Sequence, residues 1–176
     1  MQIYRNLLSS EAITKAFALF RSLPNQVLID GEQVDRHAPS AIGHFLLAKF
    51  TNEEFDFVWQ EVQEQIKDHS LVYARILKYN KGCYIHPHTD SYRQGQQDSN
   101  KSLIIQMNPT SDFKGGAPLV SKELIELEPG DGVLYDYSEL HEVKPVQKEV
   151  DAIKSDTRKD YEYTRGNLYS LIEKGQ

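Results

Sequence analysis

Tyr79-Asn80-Lys81-Gly82-Cys83-Tyr84-Ile85-His86-Pro87-His88-Thr89-Asp90 is the stretch on which the rest of the chain turns. Residues 84–90 read as an extended segment. Successive strand side chains point to opposite faces, so His88 and Asp90 point the same way. An imidazole nitrogen and a carboxylate oxygen can then reach one metal ion. His86 falls on the same face and competes with His88 for the first place. A His-x-Asp tripeptide alone is weak, because a strand histidine more often makes an ordinary hydrogen bond. A third ligand must come from elsewhere, and His141, 51 residues after Asp90, is the best candidate. It lies in its own strand-like phrase, Leu140-His141-Glu142-Val143-Lys144-Pro145-Val146.

Working outward, residues 71–79 alternate sides, carry β-favouring residues and read as a strand. Residues 102–107 read as another, and short strands are expected at 118–120, 123–128, 132–137, 142–146 and 167–172. Residues 91–100 and 108–116 are polar or rich in Pro, Ser, Asp and Gly, and read as loops. Many short strands separated by turn signals suggest a double-sheet jelly roll. Upstream the character is helical. Ser10 can cap a helix whose Ile13, Phe17, Phe20 and Leu23 fall at helical spacing, and Pro24 ends it. Thr51 with Glu54 forms a capping box for a second helix, whose buried stripe is Phe55, Val58 or Trp59, Val62 and Ile66. These aromatics read as core packing. The expected fold class is α+β: a jelly-roll, double-stranded β-helix core over 71–176, with N-terminal helical support over 1–70 packed on one sheet.

The chain has 176 residues, which suits one domain with a real hydrophobic core. No apolar run is long enough to span a bilayer, and the first residues carry no apolar signal region. The single cysteine, Cys83, allows no internal disulfide and points to a reducing, cytoplasmic setting. The formal charge of −6 opposes non-specific nucleic-acid binding. Cys83 is too soft for an oxygen and imidazole site and reads as a small packing residue. Oligomeric state is not legible.

Two histidines and one carboxylate on one face of an octahedron leave three positions open, as in non-haem Fe(II) oxygenases. The quoted stretch resembles the iron-binding motif of the prolyl 4-hydroxylase-like Fe(II)/2-oxoglutarate dioxygenases, Tyr-x-x-Gly-x-Tyr-x-x-Pro-His-x-Asp, and matches it at every named position. Residues 103–108 resemble the family's apolar strand ending in Leu-Asn, with Met107 in place of Leu. Gly115-Gly116 resembles its Gly-Gly turn, residues 129–135 its Pro-x-x-Gly-x-x-x-Phe strand, and residues 141–146 its distal His-x-Val-x-Pro-Val phrase. The motif favours His88 over His86, because Pro87 precedes the ligand. His86 is left as a substrate or outer contact.

The resemblance implies Fe(II) held by His88, Asp90 and His141, with 2-oxoglutarate and O2 as co-substrates. It implies hydroxylation of an aliphatic C–H with release of succinate and CO2. The far carboxylate of 2-oxoglutarate needs a buried cation, and a bidentate Arg suits it. The family's Arg lies about ten residues after the distal His, but here those positions are Asp151 and Ala152. Arg165 is the expected replacement, with Asn167 sharing its face and Tyr79 as a further contact. Lys154 and Arg158 are runners-up. Residues 147–163 read as an enlarged loop, either plainly solvated or a lid. Tyr92 and Arg93 are the expected substrate contacts. The resemblance points to a prolyl residue, a peptide or a free amino acid as substrate. The competing class is a cupin-like metal protein without oxygenase activity, an isomerase, lyase or sensor, which has no use for a carboxylate-binding Arg.

Overall fold

The computed structural model describes residues 1–22, 28–30, 43–44, 46–51, 53–79, 84–90, 101–109, 113–149 and 163–173. In chain order its elements are β1 (Gln2–Tyr4), α1 (Ser10–Ser22), β2 (Leu28–Asp30), β3 (Gly43–His44), β4 (Leu46–Phe50), α2 (Asp56–Gln65), β5 (His69–Tyr79), β6 (Tyr84–His88), β7 (Lys101–Ile105), β8 (Phe113–Gly115), β9 (Pro118–Val120), β10 (Glu123–Leu124), β11 (Gly132–Asp136), β12 (His141–Val143), β13 (Val146–Glu149) and β14 (Tyr163–Glu173). Seven strands form a major sheet in the order β1-β11-β7-β14-β5-β4-β2, and five form a minor sheet, β10-β9-β12-β6-β3. Strands β13 and β8 make a separate pair.

Both helices lie on one face of the major sheet. Ala12, Ile13, Ala16 and Phe20 of α1 recur at helical spacing and are buried with Phe55, Val58 and Val62 around α2. They pack on Ala74 and Ile76 of β5, Leu103 and Ile105 of β7, and Leu134 of β11. Strand alternation then sends the intervening residues to the opposite face. There Val133 and Tyr135 of β11 cluster with Val120 of β9 and with Ile125 and Leu127, and Ile104 packs against them. This second cluster joins the two sheets face to face.

The helix starts differ in detail from the sequence reading. The cap of α1 is Ser9, not Ser10: its Oγ accepts from the Ala12 N–H at 3.1 Å. Glu61 on α2 in turn accepts from the Ser9 N–H and Oγ at 2.8 and 2.7 Å, so the cap also ties the helices together. The Thr51/Glu54 box forms in both directions, but it closes the turn that leads into α2. Strands β1 and β4 fall in the region read as helical. The Leu, Ala and Lys of β4 favour helix locally, and pairing with the long β5 overrides that preference. Residues 147–149, expected in a loop, belong to β13.

The N-terminal segment is fastened at the turn before β11. Strand β1 pairs with β11. Asp131 then accepts from the Asn6 N–H at 3.0 Å, the Arg5 guanidinium at 2.6 Å and the Glu128 N–H at 3.1 Å. Gly130 has φ +91, and a Cβ there would lie 2.3 Å from the Leu8 carbonyl oxygen. Only glycine allows this close approach, which the Leu8 N–H to Gly130 carbonyl bond at 3.0 Å uses.

Candidate metal centre

His88 ends β6 and His141 opens β12, and the two are direct partners across the minor sheet. The next pair along is Val143 with Ile85, so β12 advances two residues while β6 advances three. The extra residue makes a bulge at His86-Pro87. Ile85 and His88 therefore share the inner face, and both His86 and Pro87 are exposed. The expectation that His86 shares the face of His88 fails for this reason. Its ring packs on Tyr84 with centroids 4.7 Å apart, outside the group described next.

One turn, residues 136–139 between β11 and β12, positions two of the candidate ligands. Its Tyr137 carbonyl accepts from the Asp90 N–H at 2.7 Å. Its Glu139 carbonyl meets His141 Nδ1 at 2.9 Å. His88 is held in the same manner, with Nδ1 2.7 Å from the His86 carbonyl. A carbonyl can only accept, so both Nδ1 atoms carry a proton, and in the neutral, metal-binding form of each ring Nε2 presents the lone pair. Those lone pairs face one carboxylate. His88 Nε2 is 3.6 Å from Asp90 Oδ1, and His141 Nε2 is 3.6 Å from Asp90 Oδ2. Lone pairs turned toward a carboxylate repel, and a shared cation relieves that repulsion. The three donor atoms lie within 4.8 Å of one another. Two neutral imidazoles and one carboxylate suit a divalent first-row ion such as Fe(II).

The surroundings fix the group further. Asp90 and His141 are buried. Ser102 of β7, itself buried, donates from Oγ to Asp90 Oδ2 at 3.3 Å. The ring of Tyr135 on β11 lies 4.8 Å from that of His141. Two signals for these residues stood in the sequence. Ser102 borders the aliphatic run 103–105, and Arg75 interrupts the apolar run 74–77. Arg75 is only 7% exposed, on the face of β5 turned away from the helices.

Of the other expected site residues, Arg165 pairs with Leu77 and Tyr79 with Tyr163. Asn167 pairs with Ile76, with a register shift between it and Arg165. Ile76 and Leu77 belong to opposite faces of β5, so Asn167 does not hold a register position on the Arg165 face, as simple alternation had implied. Tyr92, Arg93, Lys154 and Arg158 lie outside the described residues, as does most of the expected 147–163 loop.

Residues 74–158 match the family model described as the 2OG-Fe(II) oxygenase superfamily. No curated protein matches in sequence. Among solved structures, the chain is similar to a prolyl-4-hydroxylase from Pseudomonas putida, with a TM-score of 0.64 and 13% identity over 99% of this chain and 92% of that one. It is similar to the viral collagen prolyl hydroxylase of Paramecium bursaria Chlorella virus-1, solved with 2OG, with a TM-score of 0.62 and 13% identity over 97% and 95%. An oxidoreductase of the 2OG-Fe(II) oxygenase family from Burkholderia pseudomallei gives a TM-score of 0.66 and 14% identity over 95% and 81%. The matched span contains His88, Asp90 and His141, so the part of the chain that carries the candidate metal group is the part similar to the 2OG-Fe(II) oxygenase superfamily, enzymes that use Fe(II), 2-oxoglutarate and O2.

Proposed function

We propose that this protein hydroxylates an aliphatic C–H of a prolyl residue, a peptide or a free amino acid. His88, Asp90 and His141 hold the iron. The single observation carrying this is the pair of imidazoles whose Nδ1–H groups are tied to backbone carbonyls, leaving both Nε2 atoms aimed at one carboxylate. When bound, iron with 2-oxoglutarate and O2 supplies the oxidation, which ends in succinate, CO2 and the hydroxylated substrate. The chain's own part is to hold and orient. The carbonyls of His86 and Glu139 fix the imidazoles, Ser102 fixes the carboxylate, and the apolar cluster around Tyr135 keeps water from one side of the site. No side chain is needed as a general base.

The two facing sheets read as a double-stranded β-helix in one domain, with the metal group at one end of the space between them. Arg165 binds the far carboxylate of 2-oxoglutarate. Its pairing with Leu77, on the face of β5 away from the helices, supports this, and Tyr79 lies one ladder step farther along. No described helix is long and apolar enough to cross a membrane. A cytoplasmic setting fits the lone Cys83. Anaerobic titration with Fe(II) and 2-oxoglutarate tests the reading. The charge-transfer absorption of the chelate is expected in the wild type and absent in His88→Ala. A substrate screen following succinate release then identifies the acceptor.

A further inference from the structure

The turn between β11 and β12 carries a carboxylate that bonds back to the turn and across to the neighbouring hairpin. Glu139 donates its N–H to the Asp136 carbonyl at 2.9 Å, the bond that closes a four-residue turn. Its side chain folds back over the same turn, and Oε2 accepts from the Asp136 N–H at 2.9 Å. Oε1 accepts from the Ser121 hydroxyl at 3.2 Å. The Met1 ammonium lies 3.5 Å from Oε2, a near-surface ion pair of the kind that contributes little. Ser121 begins the two-residue turn from β9 to β10. Ser121 and Lys122 both hold left-handed backbone, with φ of 51 and 68, without being glycine. Such a turn persists only where its surroundings hold it. Ser121 is held twice, through its N–H to the Leu140 carbonyl at 2.7 Å and through its hydroxyl to Glu139. Both partners directly precede His141, and Val120, just before Ser121, pairs with His141 across the ladder.

The same turn supplies the carbonyls behind two of the metal ligands, Tyr137 for the Asp90 N–H and Glu139 for His141 Nδ1. The direction of a carbonyl follows the peptide planes of its turn, and one backbone bond leaves a four-residue turn free to rock. Bonds to a carboxylate are stronger than neutral ones, and two of them remove that freedom. We propose that Glu139 is a positioning residue of the metal centre: its carboxylate fixes the 136–139 turn and so aims the carbonyls that orient His141 and Asp90. The inference rests on the metal reading above. Glu139 acts through the backbone and not on the reacting atoms. His88 is an internal reference, because its Nδ1 is tied to the His86 carbonyl, outside the turn.

The protein freed of metal gives the first readout. Imidazole 15N shifts report which ring nitrogen carries the proton. The Nδ1–H form is expected for His88 and His141 in the wild type. Glu139→Ala is expected to give His141 a mixture of tautomers and to leave His88 unchanged. Glu139→Gln keeps both bonds, because its amide oxygen accepts from the Asp136 N–H and its NH2 donates to the Ser121 oxygen. It is expected to restore the wild-type His141 signals. Anaerobic Co(II) titration gives the second readout. Glu139→Ala should bind about threefold to tenfold more weakly, with an altered visible spectrum, and Glu139→Gln within about twofold of the wild type. Ser121→Ala removes one of the two bonds and should show the same changes to a smaller degree. This variant decides the matter if Glu139→Ala does not fold. An unchanged His141 tautomer and Co(II) spectrum, whatever happens to the urea midpoint, overturn the inference and leave Glu139 as a closure of the turn. Equal disturbance of His88 and His141 overturns it as well. In either case a wild type that binds Co(II), beside a His88→Ala variant that does not, leaves the metal reading standing. A wild type that binds no Co(II) overturns both.

Discussion

His88 and His141 face each other across the β6–β12 ladder, with ring centroids 4.2 Å apart and planes tilted by 57°. Each ring is held by a carbonyl two residues before it in its own strand or turn, His86 for one and Glu139 for the other. The two imidazoles are thereby aimed before any cation arrives. Side-chain freedom that would be lost on metal binding has already been lost on folding.

The ligand set follows from that geometry. Alanine at His88, Asp90 or His141 is expected to lower Fe(II) or Mn(II) affinity by at least about a hundredfold, while His86→Ala binds as the wild type does. Mn(II) titration followed by electron paramagnetic resonance measures this. Loss in His86→Ala with retention in His88→Ala would reverse the assignment.

Ser102 orients the carboxylate. Ser102→Ala is expected to weaken metal binding by about tenfold, the lower end of what outer partners of metal ligands contribute. Ser102→Thr restores it by returning the hydroxyl. A Co(II) absorption spectrum altered in the alanine variant and recovered in the threonine variant separates this role from general loosening of β7.

The Asp131 knot makes stability depend on acid. Burial alone pushes the Asp131 carboxyl up, but the Asn6 amide, the Arg5 guanidinium and the Glu128 amide outweigh it and hold the carboxyl below its ordinary 3.8. A carboxylate lowered on folding stabilises the fold above its unfolded value, and that contribution fades as the pH drops below it. Denaturation midpoints of the wild type are therefore expected to fall below about pH 4 more steeply than those of Asp131→Asn. At pH 7 the Asn variant should lose about 2 kcal/mol, because its amide cannot accept all three donors. Parallel pH profiles overlying one another would remove the knot from the account.

Gly130→Ala tests the same junction from the backbone side. It combines a left-handed residue with a Cβ 2.3 Å from the Leu8 oxygen. A cost of at least about 2 kcal/mol is expected in urea denaturation. Hydrogen exchange at Leu8 should speed up, since its bond to Gly130 is the first to yield.

Much of this was legible before any coordinates. β7 and β11 are legible as short apolar strands between turn signals, with both faces packed, and α1 and α2 as helices by the spacing of the one face that each buries. His88, Asp90 and His141 could be chosen because their phrases match a known motif in order. What failed was phase. The bulge at His86-Pro87 and the shift between Arg165 and Asn167 each add a residue that periodicity cannot count, and each moved an expected site residue to another face. The short β1 and the helix-favouring β4 were missed because partners distant in sequence decide them. Arg75 inside the apolar run 74–77 and Ser102 at the edge of the run 103–105 are weaker signals, because a single polar residue in a strand does not say which face it takes.

The bulge before His88 has a wider meaning. A strand normally ties the identity of every inward residue to the one two places before it, so hydrophobic packing and ligand placement compete for the same phase. With three residues of β6 spanning two of β12, Ile85 can serve the interior and His88 the metal without either dictating the other. A version of this chain lacking Pro87 would straighten the ladder and still keep both indoors. The interval between the tyrosine-rich start of the motif and its histidine is thus elastic by one residue, whereas the step from His88 to Asp90 is not.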